Sequence, residues 1–420
     1  MPADRDKGKS KANNPTGGNQ HSSRPLFEQY PELPQWIQDY INDGIKQTDM
    51  PRELSDDHGI TVKLRSIERI IKNQNLRTTR HSGLTDVDKG AAIIAVTQED
   101  PLVRWGGRKI KEKLSLKTIH IPRQFIDNMR GVLDRDAADM RKPGAKKVHT
   151  RGLWSAGPNE EWCVDGHEKI LLCMGIAVWG IIDKYAREEL NLWAVPDART
   201  ADVPPALYLL MVRAKKGMPM QTTSDMGSET GGLAAAQTSL RQIYLPDLPL
   251  DSLPAHRSVK SVYNITRERG WRPIWEKELA NVKYAYETGK ISAGFHPEDP
   301  IHQGVSLWLW AKIVQLRLDD IRRENSRHRV RFQRNKLLPT GGTHGEFYKH
   351  PERWGGRDQL VPVDVAVVDR LIQMHTPPRL FQFGTDEMVA LCEALYSSIG
   401  CPDVSAINGW DVFKAMINQL

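Results

Sequence analysis

Hydrophobic positions recur along this chain with two different periods, helical in the first third and strand-like from Trp162 onward. Near the start, Trp36, Tyr40 and Ile41 fall at helical spacing, and turns are expected at Gly44 and Gly59. Leu64, Ile67, Ile70 and Ile71 then mark one face of a segment from Val62 to Asn73. The layout predicts a helix-turn-helix unit. A second helical group follows, with Ala91, Ala92, Ile94 and Ala95, a break at Asp100-Pro101, then Ile110 and Leu114, and finally Phe125, Ile126, Met129 and Val132. Residues 26–133 are therefore expected to form two helix-turn-helix-like units. The alternative for each is a plain amphipathic pair with a solvated charged face.

After Trp162 the runs shorten and become β-rich. Strands are expected at Trp162–Val164, at Ile170–Val178 leading into Ile181-Ile182, and at Leu190–Val195. A helix over about 201–214, a strand at Gln221–Thr223, a helix over about 230–244 and a loop rich in Pro and Asp up to about His256 complete the pattern. This order is that of an α/β fold whose first three strands are antiparallel. Residues 1–25 have almost nothing to bury and are expected to be a disordered tail. Residues 134–153, with Arg135, Arg141, Lys142, Lys146 and Lys147 around Pro143-Gly144, read as a basic linker. Residues 355–420 read as a small helical region around Val389, Leu391, Leu395 and Ile399, without a functional reading.

Composition narrows the picture only a little. The 420 residues imply about two to four folded units. Lys and Arg number 59 against 52 Asp and Glu, a formal charge of +7 that is compatible with a polyanionic partner. Cys163, Cys173, Cys392 and Cys401 are too scattered for a disulfide framework or a zinc site, and suggest reduced intracellular thiols. The apolar run from Ile170 to Ile182 falls short of the roughly 18 residues of a membrane span, so no membrane partner is expected. The charged N-terminal residues have no apolar segment behind them, which argues against a secretory signal.

Charge becomes informative where it sits. Lys63, Arg65, Arg69 and Lys72 lie off the apolar stripe of the first unit's last helix, where phosphate-contacting or base-reading side chains have to be. A dense basic stretch runs through Arg322, Arg323, Arg327, Arg329, Arg331, Arg334 and Lys336, suited to tracking phosphates. Its alternative is a solvated basic helix.

Three acids sit where acids are unexpected. Asp165 interrupts the apolar strand Trp162-Cys163-Val164-Asp165-Gly166-His167, and such an acid costs free energy unless paired or metal-bound. Asp225 ends a short strand in Thr223-Ser224-Asp225-Met226-Gly227-Ser228-Glu229, ahead of a tight turn. Glu268 lies on an expected helix. Carboxylates from two strand ends and a helix suit two divalent ions about 4 Å apart, the arrangement for in-line displacement at phosphorus. Magnesium, or manganese in its place, fits the hard oxygen set better than zinc.

Over about residues 45–340 the chain resembles DDE-type integrases and transposases, especially the integrase-core proteins of fungal genomes. Trp162 and Asp165 match a W-x-x-D strand, and Gly180-Ile181-Ile182-Asp183-Lys184-Tyr185-Ala186-Arg187 matches a hairpin motif. Ser224, Asp225, Gly227, Ser228 and Glu229 match the second-acid turn. Ser261, Asn264, Glu268, Arg269 and Trp271 match the closing motif. The resemblance implies a ribonuclease H-like core over 154–320, a mixed sheet flanked by helices, with Asp165, Asp225 and Glu268 as metal-binding catalytic triad and a basic post-core segment over 321–354. The chain departs from the pattern at Ala186 and Gly270, and at Pro273, which is expected to kink or end its helix. Glu276 and Glu278 stand as alternative third acids, or as a solvated helix face. Asp183 reads as a hairpin acid paired to Arg187, Glu229 as a helix N-terminal acid, and His167 as either a substrate contact or a satisfied strand-end histidine.

Two functions follow from the resemblance. One is a nuclear polynucleotidyl transferase that cuts and joins DNA strands, as a homo-oligomer that holds two DNA ends. The other is a catalytically silent, DNA-binding descendant of such an enzyme.

Overall fold

The computed structural model describes residues 29–102, 104–133, 153–260, 263–334 and 336–420. The expected N-terminal tail and nearly all of the basic linker lie outside the described residues. The chain divides after Gly83 into two compact units.

The first unit is three helices, α1 (Leu33–Asn42), α2 (Met50–His58) and α3 (Leu64–Asn73). Leu33, Ile37, Met50, Leu54 and Ile67 are fully buried between them. Gly59, at φ +66°, closes α2 in the left-handed conformation that glycine adopts without strain, and the chain then turns into α3. Three helices thus stand where the first helical unit was expected.

The second unit opens with α4 (Asp86–Thr97), α5 (Gly107–Leu116) and α6 (Arg123–Leu133). A capping box starts α4: Thr85 Oγ1 accepts from the Asp88 N–H, and the Asp88 carboxylate accepts from the Thr85 N–H. Ile93, Trp105, Ile110, Leu114 and Ile126 form its small core.

A five-stranded mixed sheet follows, in the order β3-β2-β1-β5-β6, from β1 (Glu161–His167), β2 (Ala177–Asp183), β3 (Glu189–Val195), β5 (Gln221–Asp225) and β6 (His256–Val259), while the short β4 (Gly217–Met218) pairs outside it with Val361–Pro362. β1, β2 and β3 are antiparallel neighbours, whereas β1–β5 and β5–β6 are parallel. This is the expected ribonuclease H-like arrangement. Because strand side chains alternate, Ala177, Trp179 and Ile181 pack against α7 (Val203–Lys215) and α8 (Gly231–Tyr244), while Val178, Leu192 and Ala194 face the opposite layer. That layer holds α9 (Ile265–Ile274), a π-helical turn (Trp275–Leu279), α10 (Ala280–Gly289) and the 28-residue α11 (Pro300–Arg327).

Three expectations change. The apolar run from Ile170 is not one strand: it turns through Leu172–Met174 and Gly175, at φ +69°, before β2 starts at Ala177. β6, short and polar, stands where a loop was expected. Beyond α12 (His344–Lys349) and α13 (Val365–His375), the C-terminal helices α14 (Asp386–Ser398) and α15 (Gly409–Ile417) are not a separate small region, because Cys392, Leu395, Trp410 and Phe413 share one hydrophobic core with Leu309, Trp310 and Val314 of α11.

Helix α11 also closes the sheet edge. Gln315 Oε1 accepts from the Ala194 N–H at 2.8 Å, and Gln315 Nε2 donates to the Leu192 carbonyl at 3.2 Å. Asn325 Oδ1 accepts from the Glu189 N–H at 2.9 Å. Backbone groups that an edge strand leaves bare are thus satisfied by a helix. Among the described residues no helix is long and apolar enough to cross a membrane.

Candidate active site

The strand register puts two of the three acids side by side. The parallel β1–β5 ladder ends at Cys163↔Thr223, so Asp165 and Asp225 each stand two residues beyond it, on neighbouring strands. Asp165 shares a sheet face with Gly180, its partner on β2, and that face is covered by α9. Trp271 of α9 donates its Nε1–H to Asp165 Oδ2 at 2.8 Å. Glu268, in the first turn of the same helix, is exposed.

Asp165 lies within electrostatic reach of the other two acids. Burial pushes its carboxyl up to about 7, against the hydrogen bond from Trp271, and the charges of Asp225 and Glu268 push the same way. The three carboxylates do not all lie within 4.8 Å of one another, so the cluster is open. Asn264, which precedes α9, is 3% exposed, and its Oδ1 has no hydrogen-bond partner. An all-oxygen donor set, a desolvated acid beside two others and an unused buried amide oxygen fit a hydrated hard divalent ion.

The support beneath the site rests on a missing side chain and a buried ion pair. A Cβ on Gly180 would lie 2.8 Å from Leu192 Cδ2, 3.2 Å from Arg267 Nη1 and 3.3 Å from Trp271 Cη2, so glycine allows α9 to approach closely enough for Trp271 to reach Asp165. Arg267 forms a two-pronged pair with Glu189 at 2.6 and 2.9 Å, both buried, and its guanidinium stacks 4.0 Å from the Trp271 ring. Gly270 sits on this pair, since a Cβ there would be 2.9 Å from Glu189 Oε1 and 3.0 Å from Arg267 Nη2. The departure from the family pattern at Gly270 thus has a packing reason. Glu189 was missed in the sequence, although an acid opening an apolar strand carries the same signal as Asp165.

Pro273 does not end the helix. The chain passes from α9 through the π-turn into α10, and the first three helices of this unit dock there. Arg104 donates to the Glu276 carbonyl at 2.6 Å, and Trp105 Nε1–H donates to the Lys277 carbonyl at 2.8 Å. Glu278 is buried with Glu324 among Lys109, Lys113 and Arg317, including Lys113–Glu324 at 2.8 Å and Lys109–Glu278 at 3.1 Å. Glu278 is therefore an internal ion-pair partner and not a solvated helix face. Glu276 pairs with Arg272 at 2.8 Å on the surface.

Other expectations are also revised. Asp183 accepts from the backbone N–H groups of Ala186 and Asn159, both at 2.7 Å, and burial pushes it up to about 7. Arg187 donates instead to the carbonyls of Pro339 and Ala186. Glu229, by contrast, is the helix N-terminal acid that was expected, in the first turn of the short helix Ser228–Thr230 that leads into α8, with its carboxylate folded back over Gly227. His167 is partly buried, stacks edge-on 5.5 Å from Trp271, and its Nδ1 has no partner. The basic stretch is partly engaged internally, with Arg322 on Asn191, Arg323 on Asp320 and Arg329 on the Gly341 carbonyl. Arg327 ends α11 and Arg331 is exposed beyond it. In the first unit Lys63, Arg65, Arg69 and Lys72 are all exposed on or beside α3, opposite the buried Ile67, Ile70 and Ile71. A cavity of about 760 Å³ lies beside α9, with Arg108, Arg269, Lys277 and Lys336 among its lining residues.

Comparison with known proteins agrees with the sheet. The family model for the integrase core domain matches residues 154–341, a stretch that includes α11 and the start of the segment after it. No curated protein matches the chain. Residues 154–341 form an integrase core domain of the DDE type, built on a ribonuclease H-like sheet.

Proposed function

We propose that this protein cuts and joins DNA strands with the help of divalent metal ions, through Asp165, Asp225 and Glu268. The observation that carries the reading is Asp165: a desolvated acid on the central strand of an integrase core, held by Trp271 and within electrostatic range of Asp225 and Glu268. Held by these three, a pair of magnesium or manganese ions supplies activation of the attacking oxygen and stabilisation of the leaving oxygen in displacement at phosphorus. Asp165, Asp225 and Glu268 would hold the ions through their carboxylate oxygens. Trp271 fixes the Asp165 carboxylate so that one oxygen stays turned away from its ring.

The exposed face of α3, with Lys63, Arg65, Arg69 and Lys72, supplies duplex binding, and Arg327 and Arg331 add phosphate contacts beside the core. Joining requires two DNA ends in one complex, which suits an oligomer of this chain. The test is an oligonucleotide nicking and strand-transfer assay in magnesium, with the parent and Asp165→Asn side by side. Equal activity of the two proteins rejects the triad. The open spacing of the carboxylates also suits a silent DNA-binding descendant, which predicts salt-dependent duplex binding with no cleavage in magnesium or manganese.

A further inference from the structure

We propose that Asn264 is a positioning residue that wedges β1 and β5 apart at the acids, and this rests on the metal-site reading above. Alternate carbonyls of a strand face the same neighbour. The Glu160 carbonyl accepts from the Gln221 N–H at 2.9 Å on the β5 side, so the Val164 carbonyl faces β5 as well. The next rung of the ladder would join the Asp225 N–H to the Val164 carbonyl. The ladder stops one step short of it, at Cys163↔Thr223, although β1–β2 pairing runs on to His167 and β5–β6 pairing to Asp225. Asn264 Nδ2 donates to the Val164 carbonyl at 3.2 Å and takes that rung's place. The gap is thus local to the two acids.

The residue gives up its usual role to do so. Asn at a helix N-cap ordinarily accepts from a backbone N–H of the first turn, yet Asn264 makes no such cap. Its Nδ2 holds the strand, and its Oδ1 is left buried without a partner, an acceptor for a water molecule on an ion between the strands. Closing the ladder would draw Asp165 and Asp225 toward the strand spacing of about 4.8 Å and reduce the room for ions.

Two measurements on the full chain test this: hydrogen exchange at the Asp225 amide in metal-free protein, and Mn2+ affinity by titration without DNA. Asn264→Ala should slow Asp225 exchange about fivefold, as the missing rung forms, and should weaken Mn2+ binding roughly tenfold. Asn264→Ser keeps a capping hydroxyl but is too short to reach Val164, so it should behave alike and serves if the alanine variant does not fold. Exchange and affinity both equal to the parent's overturn the proposal, as does faster exchange at Asp225. If Asp165→Asn binds Mn2+ as the parent does, the metal-site reading falls, while the exchange measurement still decides the wedge.

Discussion

Replacing Asp165 by Asn separates the chemical role of this acid from its burden on the fold. Burial raises its pKa from 3.8 to about 7, with Asp225 and Glu268 adding to the shift. An acid whose folded pKa is raised keeps its proton longer in the folded chain. The fold therefore bears no penalty below about 3.8, an increasing one as the unfolded chain ionises first, and a constant one above about 7. At about 1.36 kcal/mol per unit, that penalty is about 1 kcal/mol at pH 4.5 and about 4 kcal/mol at pH 8. Asn has the same shape, can still accept from Trp271, and carries no charge. Metal-free Asp165→Asn should thus be the more stable protein, by a margin that widens from about 1 to about 4 kcal/mol between these pH values. Urea unfolding in the presence of a chelator measures the margin. Asp183 and Glu188, raised by burial to about 7 and about 8, make both proteins lose stability over the same range, so only the difference reports Asp165. A margin that fails to widen, or a variant less stable than the parent at pH 8, refutes the argument. Magnesium at pH 8 should then stabilise the parent and not the variant.

Three further outcomes are expected. Arg267→Ala leaves Glu189 buried without its partner and should cost about 3–5 kcal/mol in urea unfolding. Trp105→Phe keeps a ring near Lys113 but loses the donor to the Lys277 carbonyl, and should speed hydrogen exchange across Trp275–Leu279 while leaving the β1 amides unchanged. A double Arg65→Ala, Arg69→Ala protein should bind duplex DNA with a slope of log affinity against log salt that is shallower by about 1.8, read from anisotropy titrations.

The helical and strand periods located most elements, because each sits in an amphipathic or fully buried layer that the spacing of apolar residues reports. Asp165 stood out for the same reason, as a charge inside an apolar strand, whereas Asp225 and Glu268 stood out through the motifs around them. Less legible was everything that depends on contacts across long sequence separations. Pro273 looked like a helix terminus, but the π-turn beyond it is held by Arg104 and Trp105 from a distant helix pair. Glu278 looked solvated because its partners Lys109, Lys113 and Arg317 lie on other helices. β6 escaped notice because half of a four-residue edge strand faces solvent and shows no alternation. Asn264 was visible as part of a motif, but its role appears only when the end of the β1–β5 ladder is seen.

The closed edge of the sheet has a consequence for synthesis. The groups that satisfy Ala194 and Leu192 come from Gln315, and the Ala194–Gln315 bond spans 121 residues. At typical translation rates that separation amounts to about 6–24 s. During this interval the β1–β3 meander is complete while its outer strand still presents bare amides and carbonyls. A nascent or truncated chain lacking α11 would carry an adhesive edge that the finished protein never shows, and misassembly is expected to concentrate in that window.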